Sequence, residues 1–326
     1  MAIKPIGPAT TSSWEPRVDF AVDRQVDWRS MKRACIVLFF LATAVFAWPQ
    51  RRPAITGIAF VRVYASDAAA SAKFYSQTLG YASSQAGEIT RYPVNDLQWI
   101  EVAPELASAP RSHLAAVGFM TRNAKALETY LKAHAITIVD PLREGRFSVR
   151  DPEGNLIFFV QEVKGAAVPP AVAATAVSRR MIHAGFVVQN ADAENHFYRE
   201  ILGFKPYWRG GRTDTSMDYV SQQVPEGSDW LEYMLNTNPN PTQKQLGGSN
   251  HMSLGVAHMS DAIQKLQQNG CAGPECSASK TGRDGKVQLN LFDPDLTRVE
   301  LMEFIPSGKT CCSEFTGKHP TATENR

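Results

Sequence analysis

The stretch Phe74-Tyr75-Ser76-Gln77-Thr78-Leu79-Gly80-Tyr81 returns later in the chain as Phe197-Tyr198-Arg199-Glu200-Ile201-Leu202-Gly203-Phe204. The offset is 197 − 74 = 123 residues, long enough for each copy to lie in its own domain. A strand-like run precedes each copy: Gly57 to Val63 before the first, and Met181 to Val188 before the second. Asp67 to Gly80 and Asn190 to Gly203 read as helices. Each opens on a capping residue, carries apolar residues at helical spacing and closes on glycine.

Working outward, short strands follow each helix. They are Ile89–Tyr92 and Gln98–Val102 in the first copy, Met217–Val220 and Trp230–Leu235 in the second. A further unit comes after each. Leu114–Met120, the helix Ala124–His134 and the strand Leu156–Val160 form one; His251–Val256, the helix Ser260–Gln268 and the strand Arg298–Phe304 form the other. Asp151-Pro152-Glu153-Gly154-Asn155 and Asp293-Pro294-Asp295-Leu296-Thr297 are matching turns before the last strands. The unit βαβββ therefore occurs four times, which predicts an α+β fold built of paired modules. Two domains are expected, over 55–163 and 179–305, joined by an Ala-, Val- and Pro-rich linker at 164–178. The Ser-, Thr-, Lys- and Gly-rich stretch 306–326 reads as a loose tail.

Composition sets the broad class. With 326 residues, 44% apolar and 20% charged, the chain is of ordinary globular make-up and has room for about two domains. A net charge of +2 without a Lys/Arg block beyond the leader predicts no nucleic-acid surface. Residues 1–47 read as a leader in which Met31 opens a signal peptide: Lys32 and Arg33, an apolar run of about 14 residues, then Val45 and Ala47 before a cut. That run is shorter than the roughly 20 residues a bilayer demands, so no stable membrane insertion is expected after cleavage. The expectation is a secreted or periplasmic protein; the alternative is anchoring by an uncleaved leader. Cleavage removes Cys35 and leaves Cys271, Cys276, Cys311 and Cys312. An oxidising compartment permits disulfides, for instance between the Cys271–Cys276 loop and the tail, with no bond expected between the adjacent Cys311 and Cys312.

The chemistry-bearing residues also recur. His183 and Glu232 are 232 − 183 = 49 residues apart, and so are His251 and Glu300, 300 − 251 = 49. Imidazole and carboxylate are ligands that iron(II), nickel, manganese and zinc share. Period two on Trp230-Leu231-Glu232-Tyr233-Met234-Leu235 sets Leu231, Tyr233 and Leu235 on one face and Glu232 on the other. Likewise Val299 and Leu301 oppose Glu300, and Ile182, Ala184 and Phe186 oppose His183. One divalent ion (Ni, Co, Zn, Fe(II) or Mn) held by His183, Glu232, His251 and Glu300 is the expected cofactor.

These motifs, His183-Ala-Gly-Phe-Val-Val, Phe197-Tyr198 with Leu202-Gly203-Phe204, Trp230-Leu-Glu-Tyr, His251-Met-Ser-Leu-Gly-Val and Asp293-Pro-Asp-Leu-Thr-Arg-Val-Glu300-Leu, resemble the vicinal oxygen chelate superfamily. That superfamily includes glyoxalase I, extradiol dioxygenases and bleomycin-resistance proteins. The resemblance covers about residues 55–305. It implies two modules closing around a cleft, with metal ligands on the first and last strands of each, and it admits a homodimer. It also implies a metalloenzyme whose small substrate chelates the metal through two oxygens. Glu232 and Glu300 would be the catalytic carboxylates in a glyoxalase-like isomerase or lyase. If Glu232 does not bind metal, His183, His251 and Glu300 match the face of extradiol dioxygenases. The alternative is a binding protein that sequesters a small molecule, as bleomycin-resistance proteins do.

The first half departs from the pattern. Phe60, Ala116 and Phe158 stand where ligands are expected, and only Glu101 remains, so 55–163 is expected to hold no metal. His196, His258 and His113 read as surface, cap and structural residues. Arg209-Gly-Gly-Arg212 reads as a solvated hairpin before an anion site, and Trp230, Tyr219 and Met234 as core before cleft.

Overall fold

The structure is a computed structural model that describes residues 51–105, 113–163 and 173–323. The leader, with Met31 and Cys35, and most of the linker lie outside these residues. Two eight-stranded sheets form among them. The first runs β2-β3-β4-β1-β5-β8-β7-β6 and the second β10-β11-β12-β9-β13-β16-β15-β14.

In the first sheet, β1 (Ile55–Ala65), α1 (Ala68–Ala72, widening to a π-helical Lys73–Thr78), β2 (Ser84–Ala86), β3 (Ile89–Pro93) and β4 (Trp99–Pro104) make one βαβββ module. The second module is β5 (Leu114–Thr121), α2 (Ala124–Ala133), β6 (Ile138–Arg143), β7 (Arg146–Arg150) and β8 (Leu156–Gln161). The second sheet repeats the scheme. Its first module is β9 (Met181–Val187), α3 (Ala191–Asn195, then π-helical His196–Ile201), β10 (Lys205–Gly210), β11 (Tyr219–Gln223) and β12 (Trp230–Met234). After α4 (Gln243–Ser249) comes the other: β13 (His251–Val256), α5 (Met259–Gln268), β14 (Lys280–Thr281), β15 (Val287–Phe292) and β16 (Arg298–Glu303). The α+β reading with four βαβββ modules is thus the observed fold.

Local chemistry explains the repeated helices. The Asp67 side chain accepts from the Ala69 and Ala70 amides, and Asn190 accepts from Ala193, so each helix start is capped. Gly80 and Gly203 both adopt φ +75°, the left-handed turn that glycine enters without steric cost. Apolar faces of both sheets and both sets of helices share one continuous core. Tyr75, Leu79, Tyr198 and Leu202 are buried in it, each worth roughly 1.5–3 kcal/mol by area removed from water. Phe119 of the first domain meets Phe204 of the second edge-on at 5.3 Å.

The two halves also exchange one polar contact twice. The Tyr75 hydroxyl donates to Asp293 at 2.9 Å, and the Tyr198 hydroxyl donates to Asp151 at 3.2 Å. Beside these, Asp295 accepts from the Ser66 amide at 3.0 Å, and Glu153 accepts from the Gln189 and Asn190 amides at 2.7 Å. Each Asp-Pro turn therefore finishes the start of the opposite domain's helix.

Several expectations need correction. The βαβββ scheme implies the short, polar or edge strands β2, β6, β7, β10, β14 and β15 without placing them on residues, helix α4 is additional, and β11 lies further along than Met217–Val220. Ile182 does not join Ala184 in the main core. The β9–β13 pairing slips by a residue at Ser253/Leu254, which turns Ile182 toward Tyr207 and Trp230. The tail is not loose over 306–323. Phe315 packs 5.0 Å from Tyr207, Tyr207 meets His319 at 2.7 Å, and Gln223 donates to the Lys318 carbonyl at 2.8 Å. Cys271 pairs with Cys276 and Cys311 with Cys312, so no disulfide ties loop to tail. The turn Pro274–Cys276 folds the loop back on itself, and the tail is anchored through Phe315 instead. Among the described residues no helix is long and apolar enough to cross a membrane.

Candidate metal centre

Cross-strand register brings the four repeated residues to one concave surface. On β9 and β12, His183 lies beside Trp230 and Gly185 beside Glu232. On β13, His251 faces Gly185 and Ser253 faces His183. Glu300 on β16 lies next to Ser253. Adjacent strands are about 4.8 Å apart, so side chains from β12, β9, β13 and β16 on one face can meet over the middle pair.

They do meet. The Nε2 atoms of His183 and His251 are 2.9 Å apart. His183 Nε2 is 3.3 Å from Glu300, and His251 Nε2 is 3.6 Å from Glu232. His183, Glu232 and His251 each offer a ligand atom within 4.8 Å of the others. The close approach depends on glycine: a Cβ on Gly185 would stand 2.1 Å from Cε1 of His251. The His251 ring is oriented by its Nδ1, 2.8 Å from the Ser249 carbonyl, which leaves Nε2 as the free lone pair. Trp230 stacks on His183 at 4.6 Å and fixes the other ring.

The electrostatics call for a cation. Burial holds both imidazoles below their ordinary pKa; for His251, Arg298 and His183 add to the effect. Burial and then the nearby Glu300 push the Glu232 carboxyl up to about 8. Burial acts upward on Glu300 too, but Arg298 and the hydrogen bond with His183 outweigh it and hold that carboxyl at about 2. Two imidazoles kept neutral and two carboxyls, one discouraged from ionising by burial and by its neighbour Glu300, make a donor set that would suit a divalent cation. The two Nε2 atoms, 2.9 Å apart, are close enough that one divalent ion would reach both.

A cavity of about 320 Å³ opens over the two carboxylates, lined among others by Trp208, Tyr219, Met234, Arg283 and Arg298. Tyr219 and Met234 thus face the cleft, whereas Trp230 is buried beneath His183. Lys286 is also buried. Its ammonium lies 4.6 Å from the Trp230 ring, and burial lowers its pKa to about 8. Arg298 was legible in principle, since period two places it on the face of Glu300; nothing in the sequence marked Lys286. The other histidines lie apart: His196 is exposed and pairs with Glu200 at 2.7 Å, and His113 sits 3.2 Å from the Tyr64 carbonyl. His258 stands at the start of α5 without a side-chain cap bond. In the Arg209–Arg212 hairpin, Arg212 pairs with Asp218 at 2.9 Å.

The first sheet has the same register with different occupants. Phe60 faces Gly118, which neighbours Phe158; Arg62 faces Ala116 and neighbours Glu101. Phe60, Ala116, Phe158 and Glu101 therefore hold the places of His183, His251, Glu300 and Glu232. Arg62 holds the place of Gly185. Where Gly185 makes room for an imidazole, Arg62 fills the space that Ala116 leaves, and its guanidinium binds Glu101 at 2.6 Å. Burial alone would raise the Glu101 pKa, but Arg62, Trp99 and Arg91 hold it below the ordinary range.

Fold and site together define a class: paired βαβββ modules that bring His/Glu side chains to the middle of a curled sheet. Residues 57–159 and 180–301 match the Glyoxalase/Bleomycin resistance protein/Dioxygenase superfamily, and the chain belongs to it. Among solved structures the chain is similar to a variant of homoprotocatechuate 2,3-dioxygenase from Brevibacterium fuscum, at 18% identity and TM-score 0.60, over 83% of this chain and 76% of that one. The complex of that organism's enzyme with 3,4-dihydroxyphenylacetate matches at 18% identity and TM-score 0.59, over 82% and 84%. The Arthrobacter globiformis enzyme matches at 17% identity and TM-score 0.59, over 82% and 83%. No curated protein matches the sequence.

Proposed function

We propose that the second domain is a metalloenzyme centre in which His183, Glu232, His251 and Glu300 hold one divalent ion and a small substrate binds through two neighbouring oxygens. The observation that carries this is the convergence of His183, Glu232 and His251, with Glu300 3.3 Å from His183 and Glu232 3.6 Å from His251. A divalent metal held there supplies Lewis acidity to the two substrate oxygens. Glu232 lines the cavity, and in its ionised form it would be placed to take a proton from a carbon beside a carbonyl and return it to the neighbouring atom. Arg298 keeps Glu300 ionised, and Arg283, paired with Asp214, also lines the cavity. An isomerase or lyase acting on a carbonyl compound follows.

A second reading, ring-opening dioxygenation of a catechol, is supported by the face formed by His183, His251 and Glu300. The shared architecture with the homoprotocatechuate dioxygenases also favours it. Nickel, cobalt or zinc suits the first reaction; iron(II) or manganese suits the second. Export belongs to the proposal and rests on the leader sequence from Met31.

Elemental analysis of the purified protein beside His183→Ala and Glu232→Ala separates the readings. About one equivalent of metal weakened by both changes, with proton exchange into carbonyl substrates, supports the isomerase. Iron that survives Glu232→Ala, with O2 uptake on catechols, supports the dioxygenase. No metal under any loading condition, with stoichiometric capture of a small molecule, overturns both in favour of a binding protein.

A further inference from the structure

The concave face of the first sheet carries more positive charge than its own fold uses. Glu101 is fully buried and lies within ion-pair distance of Arg62 at 2.6 Å, Arg91 at 3.1 Å and Arg146 at 3.6 Å. Three guanidiniums against one carboxylate leave 3 − 1 = 2 positive charges in excess. Both oxygens of Glu101 are already engaged. Oε2 accepts two bonds from Arg62, at 2.8 and 2.6 Å, and Oε1 accepts from Trp99 at 3.0 Å and Arg91 at 3.1 Å.

Arg146 is the least engaged of the three. Its Nη1 is 3.6 Å from Glu101 Oε1, an ion-pair distance beyond hydrogen-bond reach, and it has no hydrogen-bond partner. A guanidinium cannot shed its charge at any physiological pH, so a second acceptor would complete its hydrogen bonding. The surroundings suit a ligand rather than water alone. The Arg146 guanidinium is 5.6 Å from the Phe158 ring and that of Arg91 5.4 Å from Trp99, so each fork rests near an aromatic face. Both side chains remain about a third exposed, 36% for Arg91 and 35% for Arg146. Register shows that neither arginine belongs to the metal-binding plan. Arg91 faces Glu101 where Ser221 faces Glu232, and Arg146 faces Val160 where Gln288 faces Met302.

We propose that the first domain binds a small carboxylate anion through Arg91 and Arg146, at the position where the second domain gathers its histidines. The flat guanidinium forks match the two oxygens of a carboxylate, and the excess charge supplies long-range attraction.

The test is calorimetric titration of benzoate into the full chain and into Arg146→Gln, Arg91→Gln and His251→Ala. One saturable site, weakened about tenfold or more by either arginine change and unchanged in His251→Ala, is the expected result. Arg62 continues to hold Glu101 in both arginine variants, and unchanged thermal unfolding checks that they fold. The proposal is overturned by an absence of saturation up to about 10 mM benzoate. Affinity indifferent to both arginines, or lost only in His251→Ala, overturns it equally.

Discussion

The two sheets solve the same geometric problem in opposite ways. In the second, Gly185 steps aside so that His251 can turn its ring toward His183. In the first, the histidine position is Ala116, and Arg62 grows into the vacated space to neutralise Glu101. Beside them His183 and Ser253 exchange for Phe60 and Gly118, where a Cβ on Gly118 would stand 2.3 Å from the Phe60 ring. The substitutions come in cross-strand pairs, large for small each time. A carboxylate kept at the centre of such a sheet needs a permanent cation, and a guanidinium built into the chain is one way to provide it.

The sharpest way to break this comparison is His251→Ala, which removes a donor and is expected to weaken metal binding by more than about 100-fold; metal competition with a chelator measures it. Next is Gly185→Ala. Its added methyl collides with the His251 ring, and a loss of about 10- to 100-fold in metal affinity is expected without any change of ligand. The equivalent carboxylates are then set against each other. Arg62→Met leaves Glu101 buried with fewer partners and is expected to cost about 2 kcal/mol in denaturant unfolding. Glu232→Gln, which removes a carboxyl whose ionisation burial and Glu300 oppose, is expected to leave apo stability in denaturant unfolding unchanged or raised.

The smallest effect concerns pH. Burial and the nearby Asp151 raise the Glu194 pKa from 4.5 to about 9. A carboxyl with a raised folded pKa contributes its stability fully at low pH and loses it as pH rises through the folded value. Glu194→Gln is therefore expected to flatten the stability profile between about pH 4.5 and 9. Above that range the variant gains on the order of 1 kcal/mol over wild type. Unfolding curves across the range check it.

Much of this was legible because strands alternate. Period two on Trp230–Met234 and Arg298–Glu303 assigns Glu232 and Glu300 to the face away from Leu231 and Leu301, where the structure has them. The repeated Phe-Tyr and Asp-Pro motifs gave the modules. Edge strands such as Lys205–Gly210 escaped notice because one face meets solvent and their Lys, Pro and Gly break the alternation. Ile182 was misassigned because a slip in pairing is a property of two strands, not of one. The role of Arg62 was hidden for the same reason: the loss at Ala116 is visible in sequence, but what fills the gap emerges only when β1 and β5 are laid side by side. The tail's anchoring by Phe315 and the local disulfides depend on where the loops close, which composition does not encode.

The doubled contact between Tyr75 and Asp293 and between Tyr198 and Asp151 makes the chain a dimer that carries its own partner. Neither half finishes its helix starts or its core alone. Such a partnership also frees one member from chemistry. The half without histidines at these positions still supports the other, through the shared core and the Tyr198–Asp151 contact.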